Sequence, residues 1–356
     1  MENIKQNHML QETHEAHICI QKQLKINASL IESITKHLKT KNITTAITIA
    51  RGSSDHAANF AKYLLETQLG IITASSAPSV NTVYKSKINM KNMLVIGISQ
   101  SGQSPDICQV MQYAKDQGAI TIAIVNNASS NLARAAEFVI PIHAGEEKAV
   151  AATKSFMCTL SALLQLVGIY NSDKKLLDAL NKLPEQLNMF LQSKKYPQWN
   201  DSVASLKNAK NMFVIARGTS YPIAQESALK FKETACIQAE PFSSAEVLHG
   251  PFALVRPNFY ILQYAQDDIT LKSNLELAQK MTKLGAHTLL VYPENIKIEN
   301  KSNIAQILLP IPSSLHPLTD AVMIIQAFYQ MANKLAISLG FDPDNPENLK
   351  KVTETK

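Results

Sequence analysis

The stretch TTAITIARGSSDHAANFAKYL, Thr44–Leu64, runs from an apolar, β-branched segment into Ala-Arg-Gly, then two serines, then a helical pattern. KNMFVIARGTSYPIAQESALKFKE, Lys210–Glu233, repeats that order of parts. Gly52 and Gly218 lie 166 positions apart. QGAITIAIV (Gln117–Val125) matches LGAHTLLVY (Leu284–Tyr292), with Gly118 and Gly285 at an offset of 167. VIPI (Val139–Ile142) matches LLPI (Leu308–Ile311), with Pro141 and Pro310 at 169. Three anchors in one order at nearly one offset mark a tandem duplication of an α/β unit. Each unit reads as strand, helix, strand, helix, strand, and its strands are continuous apolar runs, as in parallel strands covered on both faces.

The boundaries follow from these anchors. Residues 1–40 form a separate helical pattern, 41–190 hold the first unit, 200–340 the second, and 341–356 a polar tail. The stretch from about 156 to 192 is helical and links the halves. An apolar share of 46% and a charged share of 18% over 356 residues fit a globular protein of about two domains. No run reaches the roughly 18 apolar residues of a membrane span, and the polar, acid-bearing N-terminus MENIKQNHMLQETHEAH is not a leader peptide. The net charge of +6 is spread along the chain in short basic runs, so neither nucleic acid nor a membrane surface is expected as partner. Cys19, Cys108, Cys158 and Cys236 show no CxxC spacing and the nine histidines show no ligand spacing. No metal or cofactor is therefore expected, and the cysteines read as reduced thiols of a cytoplasmic protein.

VIGISQSGQSPD, Val95–Asp106, carries the chemistry of the first unit. Ser104-Pro105-Asp106 is a helix start: a hydroxyl at the N-cap, proline at N1, an acid in the first turn. Ile107, Val110, Met111 and Ala114 then fall on one helical face, and Gly118 ends the helix. Ser99 to Gln103 must bridge a parallel strand to that helix. Backbone N–H groups, a positive dipole end and three hydroxyls therefore gather at one point, which suits a phosphate. The plain alternative is an ordinary capped βα turn. The second unit argues against it, because its counterpart, Tyr260–Ile269, has lost the hydroxyls and carries Asp267 and Asp268, which would repel a phosphate.

Glu226, Lys230 and Glu233 stand at i, i+4 and i+7 on one face of a helix. A solvated salt-bridge face is the plain reading of such a triplet. Ala228, Phe231 and the continuation Thr234-Ala235-Cys236 speak instead for a partly dry cleft, where a Glu beside Lys becomes a tuned acid–base group. His249 lies in a His-Gly-Pro turn, where a surface loop is the alternative and proton transfer near neutral pH the functional reading.

With these residues on the page, the chain resembles tandem SIS (sugar isomerase) proteins. It is especially similar to the isomerase half of glutamine–fructose-6-phosphate aminotransferases and to stand-alone glucosamine-6-phosphate deaminases of the same family. The resemblance runs through ARGSSDHA, SQSGQSPD, AGEEKAVAATKSF, ARGTSYPIAQESALKFKE, AEPFSSAEVLHGP and NPENLKKVTE. It implies two tandem SIS domains, each a doubly wound parallel sheet in a three-layer αβα arrangement. Ser53 and Ser54 match positions near the sugar phosphate, and Ser99, Gln100, Ser101 and Ser104 match the phosphate-binding loop. Val150 and Ala152 match positions that touch the sugar, with alanine where many aminotransferases carry serine. Glu233 matches the residue moving the proton between C1 and C2, and His249 the one opening the sugar ring, reaching in from a neighbouring subunit of a homodimer. Lys230 and Lys351 match lysines near the reacting carbons.

The aminotransferases hydrolyse glutamine in a separate N-terminal domain, for which a chain opening Met-Glu-Asn leaves no room. The expectation is therefore the reverse chemistry: isomerising deamination of glucosamine 6-phosphate to fructose 6-phosphate and ammonia. Alternatives are a related enzyme acting on galactosamine 6-phosphate or a fructosamine 6-phosphate, or a non-catalytic sugar-phosphate sensor.

Overall fold

A computed structural model describes residues 7–351. In chain order, α1 (His8–Lys39), β1 (Thr45–Ile49), α2 (Ser53–Leu69), β2 (Ile72–Ser75), α3 (Ser79–Thr82), β3 (Leu94–Ser99), α4 (Pro105–Asp116), β4 (Ile120–Val125), α5 (Asn131–Ala135), β5 (Phe138–Pro141) and α6 (Lys154–Asn171) make up the first part. Then come α7 (Lys174–Gln192), α8 (Gln198–Leu206), β6 (Asn211–Ala216), α9 (Tyr221–Ala235), β7 (Gln238–Ser243), β8 (Tyr260–Tyr264), α10 (Leu271–Lys283), β9 (His287–Pro293), α11 (Lys301–Ile304), β10 (Ile307–Ile311) and α12 (Pro317–Ser338).

Two five-stranded sheets form, in the orders β2-β1-β3-β4-β5 and β7-β6-β8-β9-β10, with every pair parallel. Their registers repeat the sequence offsets. Ala46 pairs with Leu94 and Met212 with Tyr260, both members moved by 166. Ile120 opposite Leu94 becomes His287 opposite Tyr260, an offset of 167, and Phe138 on β5 becomes Ile307 on β10, an offset of 169. The duplication is thus preserved to the level of individual strand partners. Each sheet has more strands than the strand, helix, strand, helix, strand reading gives. The edge strand β2 is four residues long and mostly exposed, so it carries no apolar run.

Each sheet is the centre of one compact unit. The first unit holds residues 18–147, 154–181 and the described tail from 350; the second holds residues up to 17, 148–153 and 182–349. In the first unit β3 and β4 are buried at every position, as strands covered on both faces must be. Helix α4 buries Ile107, Val110, Met111 and Ala114 against that sheet, the face its periodicity marks. In the second unit Phe231 of α9 meets Phe328 of α12 edge to face at 5.0 Å, and Tyr264 at the end of β8 is fully buried with its hydroxyl 2.7 Å from Ser227 Oγ. No helix among the described residues is long and apolar enough to cross a membrane.

Candidate active site

In the first unit the strand order reverses between β1 and β3, and both strands feed helices there, the situation in which parallel sheets bind ligands. Gly52, at φ +56, turns the chain into α2, whose first residues are Ser53 and Ser54. Beside it, the Ser99–Ser104 loop leads into α4. Ser99 is buried and its hydroxyl accepts the Gly102 N–H at 3.1 Å, so this serine shapes the loop. Gly102 must be glycine: φ is +62 and a Cβ would lie 2.2 Å from Ser130 Oγ. Ser101 Oγ accepts the Gln103 N–H at 3.3 Å, and the Gln100 carbonyl accepts Asn126 N–H at 3.2 Å.

Ser104 occupies the N-cap of α4, but its hydroxyl makes no capping bond. The first-turn N–H of Ile107 goes to the Asp106 carboxylate instead, at 2.8 Å. That carboxylate is buried and neutralised by Arg51, whose Nε and Nη2 donate to Oδ2 at 3.2 and 2.9 Å. The Arg51 side chain stays 51% exposed, which brings a fixed cation to the same strand tips. Sequence reasoning passed over Arg51, although the repeated Ala-Arg-Gly was its signal.

Also in the first unit, the tail lysine Lys351 donates to Glu147 Oε2 at 3.0 Å. The Glu147 side chain is fully buried and also accepts from Ser155 N–H at 3.1 Å and Ser155 Oγ at 2.8 Å. The tail is thus pinned by a buried carboxylate that the sequence gave no reason to single out.

In the second unit α9 places the acid–base candidates. Lys230 is completely buried between two carboxylates, 3.2 Å from Glu226 and 2.6 Å from Glu233. Tyr329 of α12 donates to Glu226 Oε1 at 3.1 Å. Burial by itself drives the Lys230 pKa down, but Glu226 and Glu233 outweigh it, so the ammonium is held charged well above its ordinary range. The two carboxylates are not equivalent. Glu226 is sealed in, whereas the Glu233 side chain is 20% exposed. One buried cation therefore stands behind a single carboxylate that can reach a bound molecule.

His249 is exposed between two 3-10 turns, Glu246–Leu248 and Pro251–Leu254. Gly250, at φ +130, makes that corner possible. Val150 and Ala152 are half-buried in the second unit, and the Val150 N–H is taken by the carbonyl of Asp344 at 2.9 Å.

The strand tips of the second unit are built differently. Thr219 Oγ1 donates to Gln266 Oε1 at 3.1 Å, and Gln266 Nε2 donates to the Pro317 carbonyl at 2.8 Å. Asp268 accepts the N–H and hydroxyl of Thr270 at 2.7 and 2.6 Å, and Asp267 accepts Asn295 Nδ2 at 2.7 Å. Asp320, buried at the start of α12, has its pKa pushed up to about 8 by desolvation, with Asp267 and Asp268 adding to the effect. Among the described residues no group of three or more His, Cys, Asp or Glu is placed to hold a metal ion.

A model of the SIS domain matches residues 39–168 and 205–331. The chain belongs to the SIS domain family. A provisionally named phosphosugar isomerase from Silicibacter pomeroyi DSS-3 is 35% identical, superposes with a TM-score of 0.86, and is matched over 95% of this chain and 99% of its own. The glutamine–fructose-6-phosphate aminotransferase (isomerizing) of Aquifex aeolicus is 31% identical over 97% of this chain and 57% of its own length. The C-terminal domain of glucosamine-fructose-6-phosphate aminotransferase from Francisella tularensis shares the fold, with 23% identity, a TM-score of 0.84, and 97% and 100% of the two chains covered. This SIS protein spans between 50% and 57% of the length of the curated aminotransferases it matches. Its similarity is to their isomerase part, and it stands with the phosphosugar isomerases of the family.

Proposed function

We propose that the protein is an isomerising deaminase of glucosamine 6-phosphate. The observation that carries this reading is the Lys230–Glu233 pair, a fully buried ammonium 2.6 Å behind a partly exposed carboxylate. Such a carboxylate is held close to one place, as a base shuttling one proton between adjacent carbons must be. The phosphate is assigned to the first unit, where Ser101, Ser104, the start of α4 and the Arg51 cation supply donors and positive charge.

His249 of a partner subunit takes the proton of the C1 hydroxyl and gives one to the ring oxygen, which opens the sugar and exposes the C1 aldehyde. Glu233 takes the proton from C2 and returns it to C1, while one proton of the C2 amine passes to the C1 oxygen. The C2 amine thereby becomes a ketimine, and water adds to C2, releasing ammonia and leaving fructose 6-phosphate. Lys230 keeps Glu233 in place and offsets its charge; Lys351 steadies the oxygen at C1 or C2. After ring opening, the steps need one carbon-to-carbon proton shuttle, one proton passed from nitrogen to oxygen, and one water. It requires no amide-cleaving nucleophile, which favours deamination as the activity these residues can complete.

Purified protein incubated with glucosamine 6-phosphate, galactosamine 6-phosphate and fructosamine 6-phosphate, with ammonia and hexose phosphate assayed, tests the proposal. Ammonia and fructose 6-phosphate appearing in equal amounts from glucosamine 6-phosphate is the expected result. Turnover of another of the three in its place would reassign the substrate; none from any would end the deaminase reading.

A further inference from the structure

Residues 148–150 are held by two acidic residues far away in sequence, Glu12 through its carboxylate and Asp344 through its backbone carbonyl, both in the second unit. Glu12, on the second turn of α1, is 4% exposed, and its carboxylate accepts the backbone N–H of Lys148 and, at 3.4 Å, that of Ala149. The next N–H, that of Val150, goes to the carbonyl of Asp344 at 2.9 Å. Asp344 in turn fixes the start of α1. Its Oδ2 accepts the His8 N–H at 2.8 Å and its Oδ1 the Met9 N–H at 2.7 Å, at a helix whose first turn has no acid of its own. Three consecutive amides are thus all turned to one side, towards α1 and the segment after α12. Two of their acceptors depend on buried charge.

We infer that Glu12 and Asp344 are positioning residues for the sugar. The inference rests on the reading above, in which Val150 and Ala152 meet the sugar. With its N–H engaged by Asp344, Val150 has its carbonyl left to offer, so the contact it makes is acceptance from a sugar hydroxyl. Where that carbonyl points is set by the amides on either side of it, and those at 148–150 are set by the clamp. The phosphate loop, Ser99–Ser104, belongs to the first unit, whereas Glu12 and Asp344 belong to the second. The clamp should therefore affect recognition of the polyol and leave recognition of the phosphate alone.

Calorimetric titration with sorbitol 6-phosphate, an open-chain polyol with no carbonyl to react, and with inorganic phosphate separates these two parts. The full-length wild type, Glu12→Gln and Glu12→Ala are compared. Wild type is expected to bind the sugar phosphate more tightly than phosphate. Glu12→Ala should weaken sorbitol 6-phosphate about tenfold, with a smaller loss in Glu12→Gln, because a charge-assisted bond to the amides is lost or replaced by a neutral one. Phosphate affinity should stay within about twofold in both, since hydrogen bonds to phosphate are untouched. If Glu12→Ala fails to fold, the isosteric Glu12→Gln carries the comparison. Variants that discriminate as well as wild type overturn the clamp while leaving the site reading intact. Parallel loss of both ligands makes Glu12 a general structural residue and also overturns it. A wild type that binds the two ligands equally removes the sugar contact itself, and the clamp with it.

Discussion

The tips of β1 and β3 in the first unit and of β6 and β8 in the second are the same place in two copies of one fold. Their strand partners agree residue for residue at an offset of 166. Yet the first holds a hydroxyl loop, an unbonded N-cap serine and an exposed arginine, and the second holds Gln266, Asp267 and Asp268 bonded to their own neighbours. A parallel sheet fixes where its strand ends come together and leaves open what they carry. The first copy keeps donors turned outward, which suits binding. The second spends its polar groups on internal bonds and carries the Lys230–Glu233 pair further on, along α9. On the proposed reading, binding and proton transfer fall to different copies.

That division can be broken most severely at Glu233. Glu233→Gln should lower kcat by about 10²–10⁴ while KM changes little, as loss of a positioned acid–base group does. Steady-state ammonia release checks it, and a variant keeping more than about half the rate would remove Glu233 from the mechanism. Next in size is the phosphate loop. Ser101→Ala or Ser104→Ala should raise KM about tenfold, since each removes a hydrogen bond to a charged group, while Asp267→Ala and Asp268→Ala leave KM unchanged. Equal effects in both copies would erase the asymmetry.

A smaller effect tests whether the two sets of residues meet across a dimer, as the proposed role of His249 requires. Equal amounts of Glu233→Gln and His249→Ala chains, each inactive alone, should recover about one quarter of wild-type activity. About half the two-fold dimers are then mixed, and each has one intact site. Folding and exchange of both variants are verified first by mass spectrometry of the mixed dimers. A mixture that stays inactive would place Glu233 and His249 of one site on the same chain.

The last test is of stability rather than of activity. Asp320 has an ordinary pKa near 3.8 and one of about 8 in the folded protein. The folded chain therefore holds a proton that the unfolded chain has released, and stability should fall as pH rises from about 4 to 8 and level off above. Urea unfolding across that range should show the fall in wild type and a shallower one in Asp320→Asn, which keeps the neutral form. A matching fall in both proteins would exclude Asp320 as its source.

Much of this was legible in the sequence. Alternating copies of Ala-Arg-Gly, Gly and Pro anchors gave the duplication, and a 3.6-residue period gave the buried face of α4. Glu226, Lys230 and Glu233 could be set on one helix face, but not recognised as a sealed ammonium with one open carboxylate, because their burial depends on α12 and Tyr329, about a hundred residues later. Ser104 takes the expected N-cap position, but its hydroxyl makes no capping bond, because Asp106, held by Arg51, takes the Ile107 amide. Glu147, Glu12 and Asp344 escape notice for a simpler reason. Their partners are backbone amides or a tail lysine, which leave no mark in a local pattern.

The bonds from His8 and Met9 to Asp344 span 336 and 335 positions. During synthesis the first described turn of α1 is made more than 300 residues before the carboxylate that completes it. At about 5–20 residues per second, that interval is roughly 20 s to a minute. Throughout it, the start of α1 has only water or a chaperone to satisfy its amides. A chain stalled before residue 344 therefore exposes an unfinished end of α1. The helix end at residue 8 thus reports whether residue 344 has been made.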